Sequence, residues 1–572
     1  MQSETKQCQN CKNDFTIEAD DFAFYEKIKV PPPTFCPECR MQRRLAWRNE
    51  KNLYNAKCDM CDKSIITIYP SNHKGKIYCN KCWHSDNWDP ISYGKEYDFN
   101  RPFFEQFSEL IEDVPKLALQ ISNSVDTNYA NAITHSKNCY LCFSTANSED
   151  SLYSVRLIKS KNIANSYLVS ESDGCNNCIN CNKSSGLGFC ENVVNSFDCN
   201  FCFDMRGCSN CFLCTSKRQS QYYYENTKME KDDYFNTIKN INTGSYSSLM
   251  DLKKKYKDIK IKSIHKYAEM QNNVNCTGDM ITNSKDSKNC FFGTEVENCR
   301  NCLFIENSKD CMDVCYGCCN EDLMYEVSSC GVNCSNVSFS KDTWPEVRDS
   351  QYLYSCRDNV NNCFGCVSLR NKKYCIFNKQ YSKDEYLSLV EKIKESMNDI
   401  PYFDKNGNAY KYGEFFPIEL SPYPYVDTTA MDYFPLSQES IVKSGFRTII
   451  KQERGYNIDI KSQDLEDDIN NTDISICNNI IGCMHEGTCD ENCTEAFKIT
   501  KDEFLRCKNF NLPLPRLCPN CRIYENFNEL PKPKLYHRSC MNKGCPNEFE
   551  TSYAPDRPEI VYCESCYQKE VV

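Results

Sequence analysis

The stretch CQNCKNDFTIEADDFAFYEKIKVPPPTFCPECR, residues 8–40, carries two C-x2-C pairs, Cys8/Cys11 and Cys36/Cys39. Between them lie a short alternating run, an acidic turn and a row of prolines. The same order returns near the other end of the chain, where Cys489/Cys493 and Cys518/Cys521 enclose FKITKDEFLRCKNFNLPLPRL. Phe15 aligns with Phe497, Ile17 with Ile499, Asp20 with Asp502, Phe22 with Phe504, and CPECR with CPNCR. The interval from Cys11 to Cys36 equals that from Cys493 to Cys518. Working outward, each copy is followed by a second set: Cys58, Cys61, Cys79 and Cys82 in the first, Cys540, Cys545, Cys563 and Cys566 in the second. Of 44 cysteines, sixteen therefore form four sets in two copies of one tandem unit.

A C-x2-C knuckle turns two sulfurs toward one centre, and a second knuckle supplies two more. Four thiolates close the tetrahedral shell of Zn(II) and leave no open position, which makes such a site structural. Modules this small cannot bury enough apolar surface alone, so the ion supplies much of their folding energy. The expectation is about four zinc ions, one per set. The same thiolates also hold iron in a rubredoxin-like site. The third set opens with a wider knuckle and has Cys483 and Cys507 as extra thiols. The knuckle–acidic turn–paired proline–CPxCR pattern resembles the probable zinc-ribbon, treble-clef-like family. The strings VPPPTFCPECRMQRRLAWRNE, SYAPDRPEIVYCESCY and NNCFGCVSLRNKKYCIFNKQYSKDEY are similar to those of uncharacterised cysteine-rich zinc-ribbon proteins common in candidate-phyla bacteria. That resemblance implies zinc binding and brings no assigned activity.

Such a cysteine density arises from a secreted disulfide framework or from an intracellular thiolate protein. The start MQSETKQCQNC lacks the basic and apolar segments of a secretory signal. No apolar run approaches a membrane span. The expectation is a cytoplasmic thiolate protein without a membrane partner. Net charge is −11, so any nucleic-acid contact must be local. Six scattered histidines leave little material for histidine-based catalysis. There is no glycine-rich phosphate loop, no serine-nucleophile motif and no Cys–His pair, and no small-molecule substrate is identified. The chain carries no recognisable catalytic constellation, and the expectation is a non-enzymatic protein.

Residues 125–395 contain a longer duplication. SKNCYLCF at Ser136 recurs as SKNCFFGT at Ser287, Cys211/Cys214 align with Cys363/Cys366, and Asn226 aligns with Asn378. Within each copy a (Ser/Gly)-x-(Asn/Asp)-Cys beat returns every ~10–12 residues, which suits a solenoid of short parallel strands. The predicted fold is mainly β and multidomain: a right-handed parallel β-helix-like solenoid flanked by two tandem zinc-ribbon units, with a few amphipathic helices. Its boundaries are residues 1–90 (first tandem unit), 91–124 (helical connector), 125–270 and 271–399 (solenoid copies with helical ends), 400–476 (extended connector) and 477–572 (second tandem unit). The central cysteines admit three readings: buried thiols acting as small apolar groups, additional zinc sites, or an iron–sulfur site. The last would use the C-x2-C-x2-C runs Cys175, Cys178 and Cys181, or Cys208, Cys211 and Cys214, though the usual following Cys-Pro is missing.

After Cys39 comes RMQRRLAWRNE. On a helix, Arg40, Arg44 and Arg48 share a face with Arg43 beside them, a stripe suited to phosphates, and Trp47 could stack on a base. The alternative is a dock for an acidic part of the same protein. The functional expectation is a non-catalytic zinc-binding recognition protein touching nucleic acid through the first unit. Its rivals are a protein-assembly scaffold and an iron–sulfur or thiol redox protein.

Overall fold

The computed structural model describes residues 2–449, 455–489 and 491–571, and of Cys318 the backbone only; residues 450–454 of the expected connector lie outside the described residues. The chain is mainly β, with a nine-stranded parallel stack, a ten-stranded stack that is parallel except for its last, antiparallel pairing, and few helices.

In the first stack each strand pairs in parallel with the one twelve residues on: Phe143↔Val155, Tyr167↔Ile179, Ile179↔Glu191, Glu191↔Phe203. The backbone explains the step. A left-handed residue occurs at every third position, as at His135, Asn138, Leu141, Ser144, Asn147, Asp150, Tyr153 and Arg156. Four such three-residue pieces bring the chain back beside itself. The residue after each corner faces inward: Ser136, Cys139, Cys142, Thr145, Ser148, Ser151, Ser154 and Leu157 are all buried. Corner positions favour Asn, Asp and Gly, which tolerate positive φ. Inward positions favour small groups, and a polar one must find a partner there. Ser148 Oγ donates to Ala146 O at 2.9 Å and accepts from Ser160 N at 3.2 Å, one turn further on.

After an opening pairing of eleven residues (Met270↔Ile281), the second stack, from Met270–Gln271 to Lys379–Gln380, takes the first stack's step (Phe291↔Leu303). It then admits one extra residue per turn (Met324↔Val337, Val337↔Ser350) and returns to the first step at Cys363↔Cys375. The duplicated asparagines close the two stacks. Asn226 Oδ1 accepts from Thr215 N at 2.9 Å, and Asn378 Oδ1 accepts from Val367 N at 2.8 Å, each amide standing in for the peptide that another turn would supply. Helices Lys231–Lys239 and Lys383–Asp399 follow, burying Tyr234 and Tyr386. Ser382 and Glu385 form a capping box at the second of these.

The helix expected in the 91–124 connector spans Phe103–Asp113 and buries Phe103, Phe104, Phe107, Leu110 and Ile111. Phe103 packs on Tyr352, Phe364 and Phe377 of the second stack. Beyond Pro115, Lys116–Leu117 is a strand paired in parallel with Ile77–Tyr78. The duplicate of this joint is Ile560–Tyr562 paired with Ile264–Lys266. In the first, Thr67 Oγ1 donates to Ala118 O; in the second, Thr551 Oγ1 donates to Tyr267 O.

Lys116 is fully buried, with Nζ donating to Val114 O at 2.9 Å and to Ile111 O. Burial pushes its ammonium down to about 7. The unfolded chain then binds more protons between pH 7 and 10.5, so stability rises with pH across that window. Replacing Lys116 by Met should flatten the rise, measured as unfolding midpoint against pH. An unchanged slope would remove Lys116 as its source.

Candidate metal centres

Each cysteine set is assembled by the same local devices. In the first, strands Glu4–Gln7 and Asp14–Ile17 form a hairpin whose turn holds Cys8 and Cys11, with Lys12 left-handed at φ 63°. Cys36 caps helix Pro37–Leu45, so Cys36 and Cys39 sit at its first turn, where the helix dipole favours thiolates. The Cys36 amide donates to Cys8 Sγ at 3.2 Å and ties the halves together. The amides of Cys79, Cys518 and Cys563 donate in the same way to Cys58, Cys483 and Cys540, at 3.2, 3.2 and 3.3 Å.

Four quartets of sulfurs converge: Cys8, Cys11, Cys36 and Cys39; Cys58, Cys61, Cys79 and Cys82; Cys483, Cys493, Cys518 and Cys521; Cys540, Cys545, Cys563 and Cys566. Within each quartet the atoms lie within 4.8 Å of one another. Neighbouring sulfurs are 3.7 Å apart for Cys11–Cys36, 4.0 Å for Cys61–Cys79, 3.5 Å for Cys518–Cys521 and 3.8 Å for Cys545–Cys563. A disulfide would bring them to about 2.05 Å, whereas a tetrahedron of Zn–S bonds near 2.3 Å has edges of about 3.8 Å. The described cysteines are free thiols. Hydrogen bonds from Cys36 and Cys39 hold the Cys8 thiol far below its usual range, and the contacts with Cys36 and Cys8 push Cys39 far above it. A divalent cation lets all four sulfurs ionise together. The donor sets fit a four-coordinate thiophilic ion.

The third quartet departs from the spacing-based expectation. Cys483, not Cys489, converges with Cys493, Cys518 and Cys521. The short strand Ile481–Gly482 pairs with Ala496–Phe497, so Cys483 takes the place that Cys8 has after its own strand. Cys489 lies outside that quartet, on the widened knuckle loop, with its sulfur 3.7 Å from Cys521.

The arginine stripe faces inward. Arg40, Arg43, Arg44 and Arg48 are 2, 1, 0 and 6 % exposed. Arg40 Nη2 pairs with Asp313 at 2.8 Å, Arg43 with Glu326 and Glu414 at 2.8 Å each, and Arg44 with Glu326 at 2.9 Å. Arg48 pairs with Glu50 at 3.2 Å and donates to Ser329 and Ser144. Trp47 donates to Pro417 O at 3.2 Å, with its ring against Phe416. The stripe therefore docks on acidic residues of its own chain, and its guanidinium groups are not presented to a phosphate backbone. The physical reason is that a helix carrying this many buried charges requires carboxylates beside it, and strand Met312–Cys330 supplies two of them. In the second unit Arg522, the counterpart of Arg40, pairs with Glu503 at 2.7 Å and donates to Asn165 of the first stack.

Cys175, Cys178, Cys181, Cys208, Cys211 and Cys214 are all fully buried. Their thiols donate to backbone carbonyls, Cys178 to Asn176 O at 3.3 Å and Cys214 to Phe212 O at 3.3 Å. Among the described residues, neither run forms one of the converging donor groups.

No protein-family model matches the chain, and no curated protein matches it in sequence. Among the described residues no helix is long and apolar enough to cross a membrane.

Proposed function

We propose that the protein is a non-catalytic, cytoplasmic zinc-stapled scaffold that binds another protein. In this reading the quartets are zinc-ribbon, treble-clef-like sites, and the stacks are right-handed parallel β-helix-like solenoids. The repeating register supports the solenoid, and the strong preference for right-handed crossovers between parallel strands supports its hand. The single observation that carries the reading is the convergence of four cysteine quartets at tetrahedral spacing, each closing a module with little core of its own. Nucleic-acid contact through Arg40, Arg43, Arg44, Arg48 and Trp47 is not carried forward, because these side chains are engaged inside the molecule and the net charge is −11.

Elemental analysis of anaerobically purified protein tests the metal. At least one zinc per quartet is expected. Fewer than four zinc ions, or iron with acid-labile sulfide, would overturn the reading. RNA and DNA titrations at two salt concentrations test the partner class: no salt-dependent affinity is expected, and a clear one would return nucleic acid as the ligand.

A further inference from the structure

The widened knuckle of the third quartet is an internal experiment, since the first unit has the unmodified version. There two residues, Gln9 and Asn10, separate the knuckle cysteines, and Asn10 Nδ2 donates to Cys39 Sγ at 3.3 Å. The sulfur equivalent to Cys39 is Cys521. Its knuckle loop runs from Cys483 to Cys493, and over Cys521 it places an imidazole, a thiol and a carboxylate where the first unit has an amide. His485, Cys489, Glu491 and Cys521 have donor atoms all within 4.8 Å of one another. Cys489 Sγ is 3.7 Å from Cys521 Sγ, and His485 Nδ1 is 3.4 Å from Glu491 Oε2. Both spacings match the edges of a small tetrahedral coordination shell, about 3.3–3.8 Å for nitrogen, oxygen and sulfur ligands. Among the described residues, His485 Nδ1 and Glu491 Oε2 are also buried without a hydrogen-bond partner, a costly arrangement that a cation between them would relieve.

We propose that this loop builds a fifth metal site, fused to the third quartet, in which Cys521 bridges two divalent ions and His485, Cys489 and Glu491 are the remaining ligands of the second ion. The inference rests on the quartet reading and adds an ion that the cysteine-set count does not include. Charge favours the fusion. A second M²⁺ brings two positive charges, while ionised Cys489 and Glu491 bring two negative ones, so the net charge matches that of the single tetrathiolate. The bond forms between the metal and the Cys489 sulfur, whose proton passes to solvent. Mixed nitrogen, oxygen and sulfur donors in this geometry suit zinc. A terminal thiolate keeps a lone pair that a bridging one gives to the second ion; on Cys39 such a spare lone pair accepts from Asn10.

The test is zinc per chain in the intact protein, wild type against Cys489→Ser and, separately, His485→Ala. Both positions are on a partly exposed loop outside the quartet. Five equivalents in wild type and four in each variant are expected. Cobalt substitution should show the same loss of one ion, with the remaining spectrum that of tetrathiolate sites. Four in wild type and four in Cys489→Ser would overturn the fifth site and leave the quartets standing. Four in wild type and three in Cys489→Ser would also overturn it, by placing Cys489 in the quartet instead of Cys483. Fewer than four in wild type would fail the quartet reading itself, and the fifth site with it.

Discussion

Replacing Glu326 by alanine is expected to lower the unfolding midpoint of the zinc-loaded protein by several degrees. Glu326 is fully buried and accepts from Arg43 at 2.8 Å and Arg44 at 2.9 Å, with Arg40 Nε 3.7 Å away. Removing one partner from a buried ion pair costs about 3–5 kcal/mol, because the remaining charge stays desolvated. Burial opposes ionisation of Glu326, but Arg43 and Arg44 outweigh it and hold the carboxyl below its usual range. Glu326→Gln, which keeps hydrogen-bonding capacity, should cost less. The loss should persist at high salt, since buried pairs are screened far less than exposed ones. A Glu326→Ala protein that melts with wild type by calorimetry would dismiss the inward-facing stripe as a structural element.

Removing the first quartet with Cys36→Ser/Cys39→Ser is expected to be larger still. Structural zinc in small modules is worth about 10–16 kcal/mol of apparent binding free energy, which is also folding free energy. Cys36 caps the helix that carries Arg40, Arg43 and Arg44, so losing the ion also releases the stripe from Asp313, Glu326 and Glu414. The double variant should bind one zinc fewer and expose residues 1–57 to limited proteolysis. Adding Glu326→Ala should then cost much less than it does in wild type, because the pair is already broken. Fully additive effects would show that quartet and ion-pair network are energetically separate.

The cysteine framework was legible because metal ligation imposes spacings, and spacings survive in a sequence. It misled at the third quartet for the same reason. The near knuckle Cys489–Cys493 looked complete, while the true counterpart of Cys8 is announced only by the two-residue strand Ile481–Gly482 before Cys483. In the stacks, the twelve-residue beat was visible but its underlying step of three was not. The step is carried by left-handed corners, and Leu141, Tyr153 and Arg156 occupy corners that Asn, Asp or Gly would have advertised. The small residue after each corner (Ser136, Cys139, Cys142, Thr145, Ser148) was the available signal. The arginine stripe was recognised as a basic helical face, but its direction was not. Its carboxylate partners Asp313 and Glu326 lie some 280 residues away along the chain, and no local pattern marks them.

The two ends of the polypeptide are cross-laced. The first quartet unit joins its own neighbour through Ile77–Tyr78 and Lys116–Leu117, yet sinks its arginines into the second stack. The last unit joins Ile264–Lys266, just ahead of the second stack, through Ile560–Tyr562 and rests Arg522 against the first. During ribosomal synthesis Arg40, Arg43 and Arg44 therefore emerge long before Asp313, Glu326 and Glu414. Until those carboxylates leave the exit tunnel, the opening module waits metal-bound but undocked, with its arginine face uncovered. Translation order thus makes the N-terminal seal one of the late steps of maturation.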